Sequence, residues 1–142
     1  MILVTDTIQA FSRGDLDTCA ARLTEQFLIN YAGQPQTQGR ETWLAGARMM
    51  REAFPDLTPQ VLDAFGSGDR VALRIAFTGT HQGAFLGIEP TGRTIQYDSH
   101  EIYRVTGDQI AEEWICSDMG GLDDATDVVR LRSRFWAAAQ PW

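Results

Sequence analysis

The interval at which apolar residues recur changes partway along the chain, and this change restricts the possible folds more than any other feature. Up to Phe54 the interval is three or four: Val4, Ile8 and Phe11, then Leu16, Cys19 and Leu23 after an Arg13-Gly14-Asp15 break, then Trp43, Ala47, Met50 and Phe54. Residues so spaced share one face of a helix. The pattern predicts two short N-terminal helices and a third from about Arg40 to Phe54, which Pro55 ends. Between them, Gln26 to Tyr31 reads as a strand, and Gly33, Pro35 and Gly39 mark the loop after it.

Beyond Pro55 the interval drops to two. Thr58 to Phe65, Arg70 to His81, Arg93 to Arg104 and Gln109 to Asp118 are strand-like, with hairpin turns at residues 66 to 69 and 106 to 108. A last helix is expected from about Leu122 to Ala138, docked on the sheet or on a partner chain. Helices first and an antiparallel sheet second is the α+β pattern, in which helices cover one sheet face. With 142 residues and 44% hydrophobic content the chain supports one core, so residues 1–142 are read as a single domain.

Charge removes several function classes. The twelve basic residues are all arginine, and nineteen acids leave a net charge of -7, with no basic stripe for nucleic acid or an anionic membrane surface. Cys19 and Cys116 lack metal-ligand spacing and are read as reduced thiols, with Cys116 as a buried, small apolar residue. Two histidines, His81 and His100, with no paired His or Cys motif give no metal set, and no phosphate loop or dinucleotide fingerprint occurs. His81 is read as structural, at a bend in a long strand. The expectation is a chain that needs neither metal nor cofactor. The short apolar N-terminus without basic residues does not read as a signal peptide, so a cytoplasmic location is expected.

Several segments together resemble the SnoaL-like polyketide cyclases, within the larger group of nuclear-transport-factor-like folds. They are Gly68-Asp69-Arg70-Val71-Ala72-Leu73-Arg74, the stretch from Gly79 to Gly87, Pro90-Thr91-Gly92-Arg93, and Ile102-Tyr103-Arg104-Val105 leading to Ile110-Ala111-Glu112-Glu113-Trp114. The resemblance implies a cone: N-terminal helices packed on a strongly curved, mostly antiparallel sheet that encloses a pocket. It also implies an intramolecular aldol condensation that closes a ring of an aromatic polyketide ester without metal or Schiff base. The matching positions make Asp118 the acid/base, His100 its orienting or substrate-binding partner, and Asp98 and Asn30 polar contacts. Asp98 departs from the family, which has an uncharged amide there.

Strand alternation places Gln96, Asp98 and His100 on one face, and Trp114, Cys116 and Asp118 on one face of the next strand. If both faces line the cavity, two carboxylates, an imidazole and an indole converge, with Trp114, Phe54, Met50 and Phe85 as walls for a small aromatic or apolar ligand. Two nearby carboxylates would separate into one acid and one base. Spacing alone also allows blander roles: Asp118 as a cap before Met119-Gly120-Gly121, and His100 as a half-buried structural residue. A register slip of one residue would send 96, 98 and 100 to solvent. Related folds imply other activities: hydroxylation of an anthracycline-like ring beside a reductase, epoxide hydrolysis, ketosteroid-isomerase-like chemistry, or ligand binding without catalysis. Epoxide hydrolysis lacks its arginine, since Gln96 stands in that place. An open sheet face and the aromatic tail predict a homodimer or homotetramer.

Overall fold

The computed structural model describes residues 1–85 and 87–118. Three helices, α1 (Ile2–Ser12), α2 (Leu16–Ala21) and α3 (Arg40–Ala53), accompany six strands. The strands are β1 (Leu23–Tyr31), β2 (Thr37–Gln38), β3 (Thr58–Ser67), β4 (Arg70–Thr80), β5 (Thr94–Thr106) and β6 (Gln109–Ser117). They form one sheet in the order β2-β1-β6-β5-β4-β3. From β3 to β6 the strands pair antiparallel with their sequence neighbours, while β1 runs parallel to β6. The α+β class and the helix-then-sheet order are as expected. The expected helix from Leu122 to Ala138 lies outside the described residues.

Local chemistry explains the element boundaries. Asp15 caps α2 by accepting from the Thr18 backbone N–H at 3.2 Å and from its hydroxyl at 2.7 Å. Gly68 (φ 59°) and Gly107 (φ 62°) stand in the β3–β4 and β5–β6 turns, where a side chain would oppose the left-handed backbone. The short β2 was not foreseen, because two residues are too few to show a period.

The helices cover one face of the sheet. Val4 from α1, Met50 and Ala53 from α3, and Leu57 pack with Phe27, Ile29, Ile75, Phe77, Ile95 and Tyr97 from the strands. Along β5 burial alternates without a break from Thr94 to Tyr103: Ile95, Tyr97, Ser99, Glu101 and Tyr103 are buried, and the residues between them are exposed. This row puts two polar side chains, Ser99 and Glu101, into the largely apolar core. In β6 the pairing shifts between Arg104 and Val105, which oppose Glu112 and Ile110 respectively, leaving Ala111 as the extra residue of a bulge. Beyond the bulge, Glu113, Ile115 and Ser117 face inward.

Candidate active site

A cavity of about 120 Å³ lies between the helices and the inner sheet face. Helix α1 supplies Ile8 and Phe11, α3 supplies Trp43 and Met50, and β4 supplies Phe77 to its wall. Phe77 stacks on Tyr97 with ring centroids 4.9 Å apart and planes 10° from parallel. Into this apolar space β5 and β6 project two carboxyl groups, Glu101 and Glu113, which are 5% and 2% exposed.

The two carboxyls have unequal surroundings. The Ser99 hydroxyl donates to Glu101 Oε1 at 2.8 Å, and the Tyr103 hydroxyl donates to Glu101 Oε2 in a very short hydrogen bond. Ser99 also exchanges a hydrogen bond of 2.9 Å with Ser117 across the strand pair. Glu113 stands opposite Tyr103 in the β5–β6 ladder, and its Oε1 is buried with no hydrogen-bond partner among the described residues. Burial raises the pKa of Glu101, and the hydrogen bonds from Tyr103 and Ser99 draw it back. Glu113 is pushed well above the ordinary glutamate value, first by burial and then by the charge of Glu101. Burial and the neighbouring carboxylates likewise raise the phenols of Tyr31 and Tyr103. Of the two, Glu113 therefore holds its proton the more strongly, while Glu101 is braced by two hydroxyl donors that favour its ionised form.

The residues singled out from the sequence divide between the two sheet faces. Met50 lines the cavity, while Phe54 and Phe85 are fully buried in the core and pack edge-on at 5.2 Å. Asp98, His100, Cys116 and Asp118 are exposed, and Trp114 lies under the Arg70 guanidinium at 4.9 Å. The expected convergence of Asp98, His100 and Asp118 inside the cavity does not occur, because the alternation of β5 and the bulge in β6 turn those positions to the opposite face. They do remain together: the Asp118 backbone N–H donates to the Asp98 carbonyl at 2.7 Å, and His100 pairs with Cys116 in the ladder. A groove of about 560 Å³ on this outer face is lined by His100, Trp114 and Cys116 with Arg74 and Asn30. Asn30 ties β1 to β6 by donating to the Glu113 carbonyl at 2.8 Å and to Glu112 Oε2 at 3.1 Å. Cys116 is exposed where a buried thiol was expected, for the same reason of register.

Glu101 and Glu113 escaped the sequence reading, although the sequence carried a signal for one of them. Residues 95, 97 and 103 are apolar or aromatic while 94, 96, 98 and 100 are polar, so the inward row of β5 was readable, with Glu101 as its misfit. No such contrast exists in β6, where Trp114 and Cys116 look at least as apolar as Glu113 and Ile115. Among the described residues no group of three or more His, Cys, Asp or Glu is placed to hold a metal ion.

Residues 2–125 match the model of the SnoaL-like polyketide cyclases. The chain belongs to this family. No curated protein matches the chain. Among solved structures, AclR, a proposed hydroxylase from Streptomyces galilaeus, is 28% identical, with 92% of this chain and 93% of AclR covered and a TM-score of 0.80. IdmH, a proposed polyketide cyclase from Streptomyces antibioticus, is 34% identical over 85% of this chain and 96% of its own, with a TM-score of 0.73. A protein with a ketosteroid isomerase-like fold from Catenulispora acidiphila, solved in complex with trimethylamine, is 14% identical and shares the fold alone. It covers 89% of this chain and 92% of its own at a TM-score of 0.73. Within this SnoaL-like chain, Glu101 and Glu113 are carboxyl groups of the interior cavity that differ in their hydrogen bonding.

Proposed function

We propose that the chain is a cofactor-independent polyketide cyclase that closes a ring by intramolecular aldol condensation, with Glu101 as base and Glu113 as acid. The observation that carries this reading is the pair of unlike carboxyls in one apolar cavity. Glu101, braced by Ser99 and Tyr103, takes a proton from the carbon between an ester and a ketone. The resulting enolate attacks a second carbonyl carbon of the same molecule and forms the new C–C bond. Glu113 gives its proton to the oxygen of that carbonyl as its π bond breaks. Transfer of the Glu101 proton back to Glu113, directly or through product and water, completes the cycle. The cavity walls hold one chain folded on itself, and orientation of this kind supplies on the order of 7–11 kcal/mol of a barrier.

The test is ring closure of an aromatic polyketide β-keto ester, followed by chromatography, with wild type, Glu101→Gln, Glu113→Gln and Asp118→Asn. Loss of one acid/base partner is expected to slow closure by about 10²–10⁴-fold in either glutamate variant, with little change in Asp118→Asn. The opposite pattern, loss in Asp118→Asn alone, would move the reaction to the outer groove, with Asp118 as acid/base, His100 as its partner, and Asp98 and Asn30 as polar contacts. The likeness to AclR supports a second reading, hydroxylation of an anthracycline-like ring beside a separate reductase. Closure without consumption of oxygen or reductant argues against it. The reading also includes a homodimer or homotetramer, supported by Phe65 and Ile102, which are 66% and 45% exposed on the outer face.

A further inference from the structure

Resting on the reading that Glu101 is the base of the interior cavity, we propose that its carboxyl group exchanges protons with solvent through a relay of two hydroxyls, those of Ser99 and Ser117. The strand geometry supplies the connection. Ser99 and Glu101 are alternate residues of β5, so both side chains stand on the inner sheet face. Ser117 is the last residue of β6 and lies directly opposite Ser99 in the ladder. The Ser99 hydroxyl donates to Glu101 Oε1 at 2.8 Å, and the two serine oxygens are 2.9 Å apart. Glu101 and Ser99 are buried, whereas Ser117, next to the exposed Asp118, is half-buried. The donor to the other oxygen of Glu101 is Tyr103, which is itself buried, so the serine branch is the one that leads outward.

Hydroxyl stoichiometry sets the direction. A serine hydroxyl has one hydrogen to give and lone pairs that accept. Ser99 commits its hydrogen to Glu101, so Ser117 is the donor in the bond between the serines. The chain therefore points from Ser117 through Ser99 to the carboxylate. Delivery moves one proton at each link: solvent protonates the Ser117 oxygen, Ser117 passes its own hydrogen to Ser99, and Ser99 passes its own to Glu101. Each O–H bond that breaks on a serine is replaced on the same oxygen, so both serines end neutral and Glu101 ends protonated. Once the two hydroxyls have turned, the reverse sequence discharges a Glu101 that has taken a proton from substrate, with the cavity still occupied. Water returns the matching proton to Glu113 after product leaves.

The experiment is a light-triggered pH jump with time-resolved infrared detection of carboxyl groups, on the wild-type chain, Ser117→Ala, Ser117→Thr and Ser99→Ala. The band that disappears in Glu101→Gln is that of Glu101, and circular dichroism melting checks that each variant is folded. Ser117→Ala is expected to slow proton exchange at Glu101 by about tenfold, the ratio equivalent to one hydrogen bond. Its titration midpoint is expected to stay in place, because Ser99 still donates to the carboxyl; a serine pair that only braced the strands would leave the rate unchanged. Ser117→Thr keeps the hydroxyl and is expected to exchange at the wild-type rate. Ser99→Ala is expected both to slow exchange and to raise the midpoint, since it also removes a donor to the ionised form. An unchanged rate in Ser117→Ala, a rate in Ser117→Thr as slow as in Ser117→Ala, or a Glu101 band that ignores the jump would overturn the inference. Ring closure that is lost in Glu101→Gln, together with unchanged exchange in Ser117→Ala, would overturn the relay and leave the cyclase reading standing. Slowed exchange in Ser117→Ala, in a protein that closes no ring, would support the relay and sink the cyclase reading.

Discussion

Burying a carboxyl group without a hydrogen-bond donor disfavours its ionised form, and Glu113 is buried with its Oε1 unpartnered among the described residues. In the unfolded chain its pKa returns to about the ordinary 4.5, while in the fold it lies well above that value. Between the two values the unfolded state has released a proton that the folded state still holds. Stability is therefore fully present below the unfolded value and falls as pH rises through the window up to the folded pKa. Glu101 acts in the same direction, opposed by its hydrogen bonds to Tyr103 and Ser99. His81 has the opposite sign, because burial holds its pKa below 6.5 and its contribution is lost as pH falls through the folded value. Glu113→Gln is expected to flatten the loss of stability above pH 4.5 and to leave the His81 limb unchanged. Urea midpoints measured across a pH series check this, and an unchanged slope would count against a raised Glu113 pKa. The residue that produces this behaviour was half legible in the sequence: Glu101 breaks an apolar row, but Glu113 breaks none.

Between β4 and β5, the segment from His81 to Arg93 is fastened at both ends. The backbone N–H groups of Gln82 and Gly83 both donate to the Ala53 carbonyl, at 3.1 and 3.0 Å. The Thr91 backbone N–H donates to His81 Nδ1 at 3.2 Å, with the Thr91 hydroxyl 3.0 Å from the same nitrogen. Gly83 is required there because a Cβ would overlap the Glu52 carbonyl oxygen at the end of α3, which is backbone and cannot swing aside. Gly83→Ala is expected to lower stability by about 1–3 kcal/mol, the usual cost of forced overpacking. Equilibrium urea unfolding measures it, and a cost near zero would mean that α3 and the segment separate freely. At this scale the sequence served well. The hairpins and helices α1 and α3 followed from the repeat intervals and turn glycines, whereas Leu23, read with the stripe of α2, opens β1, and His81 was read as structural, in keeping with its full burial. The parallel pairing of β1 with β6 was not readable, since it joins residues far apart in sequence and leaves no local pattern.

Across the outer face, a ladder of directly paired residues runs Phe65, Ala72, Ile102 and Trp114 over four adjacent strands. Exposed large apolar side chains in a continuous row favour association, because joining two such faces removes the row from water. Phe65→Asp combined with Ile102→Asp is expected to reduce an oligomer to monomers, read as mass by light scattering after gel filtration. The same monomeric mass for wild type and variant would end the proposal of a second copy on this face. The sequence by itself determined the order of helices and strands, the turns between them and the α+β class, because intervals and turn residues are local properties of the chain, and its resemblance to the SnoaL-like proteins pointed to the family. It also determined which strand residues share a face. In β5 the apolar row marked the inner face, whereas in β6 only the tertiary structure decided which of the two faces is inside. A period of two groups alternate residues without saying where the helices lie, and the single extra residue at the β6 bulge reverses every side chain that follows it. The bulge turned Asp118 outward, to the face of Asp98 and His100, and brought Glu113 into the cavity beside Glu101.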